Sequence, residues 1–196
     1  MRAIPDAMAA KVMTAADLFV EQGLDGAKIS DIATVTGIPR ATLYYYFEGK
    51  EGVFGYIIGV VVEAFEEAIE KALAGPGTAA DRLSAVIRAQ LDIYAAYPAA
   101  LLALKLDLGR LARRPEIMRT AVRNYVRPVA ELLEEGARDG SLRKVPQPDA
   151  VAAALLASMT FAAQQSLQST DATAITDFHA SMLSVVLTGL GPEARS

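Results

Sequence analysis

Apolar residues recur every three or four positions along most of the chain, which is the spacing of amphipathic helices. Residues 7–22 follow this pattern with Met8, Val12 and Phe19 on one face, and Gly23 predicts the stop. No alternating run of apolar and polar residues is long enough to predict a strand. The pattern therefore predicts an all-α protein of about nine helices.

The predicted helices change in length near residue 50. Two short ones, at 29–36 and 39–46, are joined by the turn TGIP, and the later ones are predicted at 51–73, 79–97, 99–113, 116–139, 149–169 and 173–188. Two short helices behind a longer one have the layout of a helix-turn-helix unit. We predict a three-helix domain at 6–50, with the motif at about 28–47, and a larger helical C-terminal domain at 51–190.

The amino-acid composition limits the kinds of functional site that the chain can form. The chain has no cysteine, and the single histidine, His179, has no neighbouring metal ligands, so we expect no metal and no cofactor. Neither an export signal nor an apolar run of about 20 residues is present, and we expect a soluble cytoplasmic protein that does not enter membranes. The net charge of −4 is not typical of a nucleic-acid binder, although a small basic domain can be attached to a larger acidic one.

The second short helix separates its residues clearly by face. At 100° per residue, Leu43 and Phe47 point in one direction and predict the buried side, against Phe19 and Ile32. Ala41, Thr42 and Tyr45 then point outward. The positions of these residues therefore predict an exposed helix surface of the kind that enters the major groove of DNA.

Each aromatic residue of the run YYY has a predicted role in such a surface. Tyr45 can place its ring against a thymine methyl group or reach a phosphate, and Ala41 is small enough to let the helix approach the bases. Tyr44 and Tyr46 lie on opposite flanks, where each would bury its ring against the protein and offer its hydroxyl to a phosphate.

Polar residues complete the predicted contacts. Arg40 suits bidentate readout of guanine, Thr42 a phosphate or base contact, and Lys50 a phosphate. The alternative is that the three tyrosines are ordinary packing residues. Packing accounts for Tyr46, but not for Tyr45, whose side of the helix has no large apolar residue.

The segment AADLFVEQGLDGAKISDIATVTGIPRATLYYYFEGKEGVFGYII, within residues 7–60, resembles the DNA-binding domain of the TetR family of transcriptional regulators. Its core, DIA...TG(I/V)xxxTLYYYFxxKE, is a specific form of the helix-turn-helix. The resemblance implies a repressor that binds a palindromic operator as a homodimer and responds to a small-molecule inducer. It also implies that the DNA contacts are Arg40, Ala41, Thr42, Tyr44, Tyr45, Tyr46 and Lys50.

Three positions depart from the family pattern. Lys28 replaces a capping Ser or Thr before the first short helix, so we expect the cap to shift to Ser30 and Lys28 to contact phosphate. Pro39 replaces a serine cap before the second short helix. Glu48 places a carboxylate where it would weaken phosphate binding unless it points away.

In the C-terminal domain, the family implies an inducer cavity and dimerisation through the last two helices, at about 149–188. Small residues in these helices allow close contact between subunits, although packing within one subunit is the alternative. Candidate cavity residues, for each of which plain core packing is the alternative, are Tyr94, Tyr97, Leu101, Leu104, Met118, Tyr125, Phe161 and Gln165.

Two other classes of function are alternatives to a regulator. No glycine-rich phosphate loop, metal-spaced histidines or serine elbow is present, so we predict that the chain is not an enzyme. The second alternative is a helical ligand-binding or adaptor protein of the same fold that has lost specific operator binding, which the acidic balance and Glu48 favour.

Overall fold

The computed structural model describes residues 4–106, 119, 122–166, 181, 184–186 and 188–191. Among these residues the regular elements are helices, in agreement with the prediction of an all-α fold. In chain order they are α1 (Asp6–Met13), α2 (Ala15–Gly26), α3 (Ile29–Thr36), α4 (Arg40–Tyr46), α5 (Gly49–Leu73), α6 (Ala79–Ala96), α7 (Pro98–Leu106), a π-helix (Val122–Val126), α8 (Arg127–Asp139) and α9 (Pro148–Ser166). Most of the helix predicted at 173–188 lies outside the described residues.

The described residues form two compact units. The first contains residues 4–63 and 97–106, and the second contains residues 64–96 and the described residues from 119 onward. Helix α5 contributes its first part to one unit and its second part to the other. The functional boundary at residue 50 remains a prediction, because packing units need not coincide with functional domains.

The core of the first unit is built from the apolar stripes of its short helices. Phe19, Ile32 and Leu43 are almost completely buried, and the Phe19 ring meets Phe54 of α5 edge-on with centroids 5.2 Å apart. Helix α2 packs against both α3 and α7. The stripe that the sequence predicted therefore forms the core, and α7 adds a surface that local periodicity did not assign to this unit.

The prediction of one helix over residues 7–22 was wrong, because the chain breaks at Thr14 between α1 and α2. The Thr14 hydroxyl donates to the carbonyl oxygen of Lys11 at 2.8 Å. Threonine hydroxyls compete in this way for backbone acceptors and interrupt helices without any glycine or proline. The predicted stop at Gly23 is confirmed, because its φ of 68° and ψ of 169° are not helical and separate residues 24–26 from the main part of α2.

In the second unit, the start of α6 is held by the end of α8. The Ala79 N–H donates to Asp139 Oδ2 at 3.1 Å, and the Ala80 N–H donates to Ser141 Oγ at 3.2 Å. These bonds satisfy amides that a helix N-terminus leaves without intrahelical partners. The hydrogen bonds from Ser141 and from the Ala79 amide lower the pKa of the Asp139 carboxyl.

The helix predicted at 116–139 is not continuous in its described part, which contains the π-helix followed by α8. Pro128 stands in the first turn of α8 and has no N–H to donate to the carbonyl of Asn124, four residues earlier. A π-helix relieves this conflict by changing the hydrogen-bond register. The predicted left-handed stop at Gly140 is confirmed, with φ of 78°.

Gly136 on α8 is a close-packing site. A Cβ there would lie 2.5 Å from Leu142 Cδ1 and 2.8 Å from Leu142 Cβ, so rotating the leucine side chain does not remove the clash. We expect Gly136→Ala to destabilise the protein by about 1–3 kcal/mol, measured by urea denaturation. A Cβ on Gly55, within α5, meets nothing within 4 Å, so Gly55→Ala should stabilise by up to about 1 kcal/mol. Equal effects of the two changes would contradict the predicted clash.

Candidate nucleic-acid interface

The turn between α3 and α4 is fixed by its own hydrogen bonds. Thr36, buried at the end of α3, donates its hydroxyl to the Ile32 carbonyl at 2.7 Å and accepts the Ile38 N–H at 3.3 Å. Gly37 has φ of 65°, a left-handed conformation that suits glycine. The carbonyl of Pro39 then accepts the first two amide bonds of α4. The turn therefore positions α4 rigidly against α3.

Helix α4 is anchored by the two residues that the sequence predicted. Leu43 is fully buried and Phe47 is 4% exposed. Phe47 lies just after the helix in an extended conformation, and its ring meets Tyr56 of α5 edge-on at 5.7 Å. Buried anchors at both positions leave the opposite side of α4 facing solvent.

The exposed side of α4 carries Arg40, Ala41, Tyr44 and Tyr45. Tyr45 is 59% exposed, as predicted. Tyr44 is 63% exposed, so the prediction that it buries its ring on a flank was wrong. Because the helix is only seven residues long and ends at Tyr46, no neighbouring segment covers the Tyr44 ring.

The side chain of Tyr46 packs against that of Tyr45. It is half-buried, and its ring meets that of Tyr45 edge-on with centroids 4.9 Å apart and planes at 84°. Edge-on pairs are favourable because the positive ring edge meets the negative ring face. Thr42 is also half-buried, so it offers less surface to a partner than Ala41 does.

The predicted capping role of Ser30 was wrong. Lys28 occupies the N-cap position of α3 and makes no side-chain cap, while Ser30 lies inside the helix and donates its hydroxyl to Asp31 Oδ1 at 3.2 Å. The helix begins at Ile29, whereas a cap at Ser30 would have placed its first residue at Asp31. Lys28 itself is exposed, so its ammonium is accessible to a phosphate.

Lys50 connects two parts of the first unit. Its Nζ donates to the Asp25 carbonyl oxygen at 2.7 Å, joining the start of α5 to the end of α2. A lysine ammonium has three donors, so this bond leaves others for a phosphate. Glu48 is exposed, and between residues 28 and 50 the cations Lys28, Arg40 and Lys50 outnumber the acids Asp31 and Glu48.

Comparisons with known proteins agree with this geometry. Residues 12–57 match the family described as "Bacterial regulatory proteins, tetR family". The HTH-type transcriptional repressor DhaR of Mycobacterium sp. strain GP1 is 27% identical over 149 residues, which are 72% of each chain. Residues 12–57 are therefore a DNA-binding domain of the TetR family. The chain is a DNA-binding transcriptional regulator.

Solved structures of TetR-family regulators share the fold. The ketosteroid transcriptional regulator KstR2 of Mycobacterium tuberculosis superposes with a TM-score of 0.82 at 19% identity, covering 97% of this chain and 98% of that one. AibR in complex with isovaleryl coenzyme A and operator DNA superposes with a TM-score of 0.73 at 18% identity, covering 92% and 97%. The likeness therefore extends over both units of the chain.

Two of the candidate ligand residues form part of a buried hydrogen-bond network in the second unit. Tyr125 of the π-helix donates its hydroxyl to Gln90 Oε1 at 2.8 Å, and Gln90 Nε2 donates to the Tyr94 hydroxyl at 2.8 Å. Thr160 of α9 uses its own proton on the Leu156 carbonyl, so Tyr94 donates to Thr160 Oγ1 at 2.6 Å. The network joins α6, the π-helix and α9.

Burial raises the pKa of the Tyr94 and Tyr125 hydroxyls further above physiological pH, where tyrosine is already neutral, so both remain hydrogen-bond donors in this network. The Tyr125 ring also stacks on Phe65 of α5 at 5.9 Å. Sequence reasoning missed Gln90 and Thr160. The one available signal was that Gln90 precedes Tyr94 by four residues and so shares its face of α6.

The structure describes the side chains of four other candidate ligand residues, Tyr97, Leu101, Leu104 and Phe161. Tyr97, Leu101 and Leu104 are half-buried in the first unit, whereas Tyr94 and Tyr125 belong to the second. Phe161 is 61% exposed on α9. Met118, His179 and the side chain of Gln165 lie outside what the structure describes.

Two further features of the described residues concern metal binding and membranes. No group of histidine, cysteine, aspartate and glutamate side chains is arranged there to hold a metal ion. None of the helices in this part of the chain combines the length and apolar character needed to cross a bilayer.

Proposed function

We propose that this chain is a ligand-responsive repressor that binds a palindromic operator as a homodimer and reads bases with the exposed side of α4. The observation that carries this proposal is the exposure of Tyr44 and Tyr45 beside Arg40, on a helix anchored by buried Leu43 and Phe47. Large exposed aromatic residues next to a cation suit base and phosphate contacts rather than solvent.

The individual contacts follow from side-chain chemistry. Arg40 reads guanine, Tyr45 contacts a thymine methyl group, and the methyl side chain of Ala41 leaves room for the base edges. Lys28 and Lys50 contact phosphates, as do the hydroxyls of Thr42 and Tyr46. Tyr44, being freely exposed, reaches either a base or a phosphate. Ser30 supports the start of α3 and is a weaker candidate for contact.

A dimer interface is supported by the exposed face of α9. From Ala153 to Phe161 its exposed residues repeat at helical spacing, and most of them are small: Ala153, Ala154, Ala157, Ser158 and Phe161. Val185, near the C-terminus, is a further exposed apolar residue. Small residues let helices approach closely, and a large exposed aromatic provides an anchor for a partner. We infer that two copies of this face pair, which gives the dimer two copies of α4 for the two operator half-sites.

Ligand response is supported by the family and by AibR, whose structure contains both isovaleryl coenzyme A and operator DNA. We propose that a small molecule alters operator affinity by binding one conformation of the C-terminal domain better than another. The family's function is regulation, and nothing in the proposed mechanism requires catalysis.

Titration of the purified protein against DNA from upstream of its own gene tests operator binding. We expect a specific complex with Kd near or below about 10⁻⁸ M, at least about 1,000-fold tighter than binding to a shuffled duplex of equal length. Affinity for both duplexes should fall with added salt, because phosphate contacts release counterions. Absence of any salt-sensitive complex would favour an adaptor that has lost operator binding.

The same titration with Phe161→Glu tests the dimer. This change should yield monomers in light scattering and weaken operator binding, because a carboxylate opposes burial in a paired face. Val62→Glu, at another exposed apolar residue, is the matched control and should remain dimeric. A dimeric Phe161→Glu protein would remove α9 from the interface.

A further inference from the structure

A cavity of about 530 Å³ opens on the second unit between the second half of α5 and the start of α8. Its lining combines apolar and charged residues, which are Glu66, Glu70, Leu73, Ala74, Arg123, Asn124 and Pro128. This volume lies in the range that small-molecule sites occupy. None of the candidate ligand residues predicted from the sequence lines it.

One wall of the cavity is held by a chain of side-chain hydrogen bonds. Arg123 Nε donates to Asn124 Oδ1 at 2.9 Å, and Asn124 Nδ2 donates to Glu66 Oε1 at 2.6 Å. The chain joins the π-helix to α5 next to the Phe65–Tyr125 ring contact. In this wall, Asn124 links the side chains of Arg123 and Glu66 through hydrogen bonds.

Glu70 also lines the cavity, but it takes no part in this chain of hydrogen bonds. It lies four residues beyond Glu66 and hence on the same face of α5. Its carboxylate forms no hydrogen bond or ion pair with any other described residue. The side chains of Leu73, Ala74 and Pro128 provide apolar surface in the same cavity.

We propose that this cavity binds an amphipathic organic cation, with its ammonium group on the Glu70 carboxylate and its hydrocarbon chain on Leu73, Ala74 and Pro128. The lining carries two carboxylates, Glu66 and Glu70, against one guanidinium, Arg123, so it favours a cation over an anion. A neutral molecule gains only the apolar contact. The inference rests on the second unit and does not depend on operator binding.

Three probes with the same hydrocarbon chain test the class of ligand: n-octylammonium, n-octanol and n-octanoate. Isothermal titration calorimetry with the full chain, at low ionic strength and below any micelle-forming concentration, should give saturable binding of octylammonium. We expect octylammonium to bind about 3- to 5-fold more tightly than octanol, and octanoate to bind most weakly. In 0.5 M salt, the advantage of octylammonium over octanol should shrink, because the carboxylate is partly exposed.

Three variants locate the site. Glu70→Gln should remove the advantage of octylammonium over octanol and leave octanol binding unchanged. Glu67→Gln, an exposed neighbour outside the lining, is the matched control and should bind like the parent protein. Ala74→Trp should fill the apolar side and abolish binding of both probes. Ala74 is exposed, so circular dichroism should show an unchanged helical fold.

The outcomes of these titrations either support the proposal or overturn it. Loss of the octylammonium advantage in Glu70→Gln but not in Glu67→Gln supports the proposal. The proposal is overturned by octanoate binding at least as tightly as octylammonium, by equal losses in the two glutamine variants, or by full binding in Ala74→Trp.

Discussion

Replacing Tyr45 by Ala should weaken operator binding by at least about 10-fold while leaving the fold intact, because one good base contact contributes roughly 1–3 kcal/mol and a dimer loses two copies. The side chain is 59% exposed, and its described ring contact is with Tyr46. Losing that ring pair costs about 1 kcal/mol or less, and the better helix propensity of Ala offsets part of it. Fluorescence anisotropy with labelled operator measures the affinity.

Two controls separate base recognition from general damage. Tyr45→Phe keeps the ring and removes the hydroxyl, so it should retain most of the affinity if the ring contacts a thymine methyl group, and lose it if the hydroxyl binds phosphate. Binding of Tyr45→Ala to a shuffled duplex should change far less than binding to the operator. Unchanged operator affinity in Tyr45→Ala would remove α4 as the reading helix.

Replacing Gln90 by Ala should destabilise the protein by about 3–5 kcal/mol. Gln90 is fully buried, and its amide accepts from Tyr125 and donates to Tyr94. The change leaves the Tyr125 hydroxyl without its acceptor, removes one partner of Tyr94, and opens a cavity where the amide was. Urea denaturation at one fixed protein concentration measures the loss, since a dimer's stability depends on concentration.

The stability change in Gln90→Ala has both a control and a rescue. Gln147→Ala, at an exposed glutamine of the same unit, should change stability by no more than about 0.5 kcal/mol. Combining Gln90→Leu with Tyr125→Phe and Tyr94→Phe removes the partners together, so it should cost less than Gln90→Ala alone. A loss below about 1 kcal/mol in Gln90→Ala would show that the tyrosine hydroxyls find other partners.

The reading helix was predictable because its information is local. Leu43 and Phe47 repeat at helical spacing, and that spacing alone gave their burial and the exposure of Tyr45. The burial of Tyr44 was predicted wrongly, because it depends on more than helical periodicity. A position on the flank of a helix is buried only if another segment covers it, and α4 is too short and too near the surface for that.

Breaks in helices were predictable where they depend on one residue type. Gly23 and Gly140 both have a positive φ, which glycine adopts readily where a helix stops. The break at Thr14 and the π-helix before Pro128 were not predicted, because each depends on competition for a particular backbone carbonyl.

The sequence by itself determined the helical class, the helix-turn-helix and the outward face of its second helix, because these follow from spacing within about ten residues. Tertiary structure alone decided that Gln90 and Tyr94 meet Tyr125 and Thr160. It also decided that Asn124 bonds Glu66 at the wall of a cavity that Glu70 lines. Such contacts join residues 35 to 66 positions apart in the buried network and 58 apart at the Glu66–Asn124 bond. Contacts at these separations depend on how whole helices pack, and helical periodicity carries no information about which faces will meet.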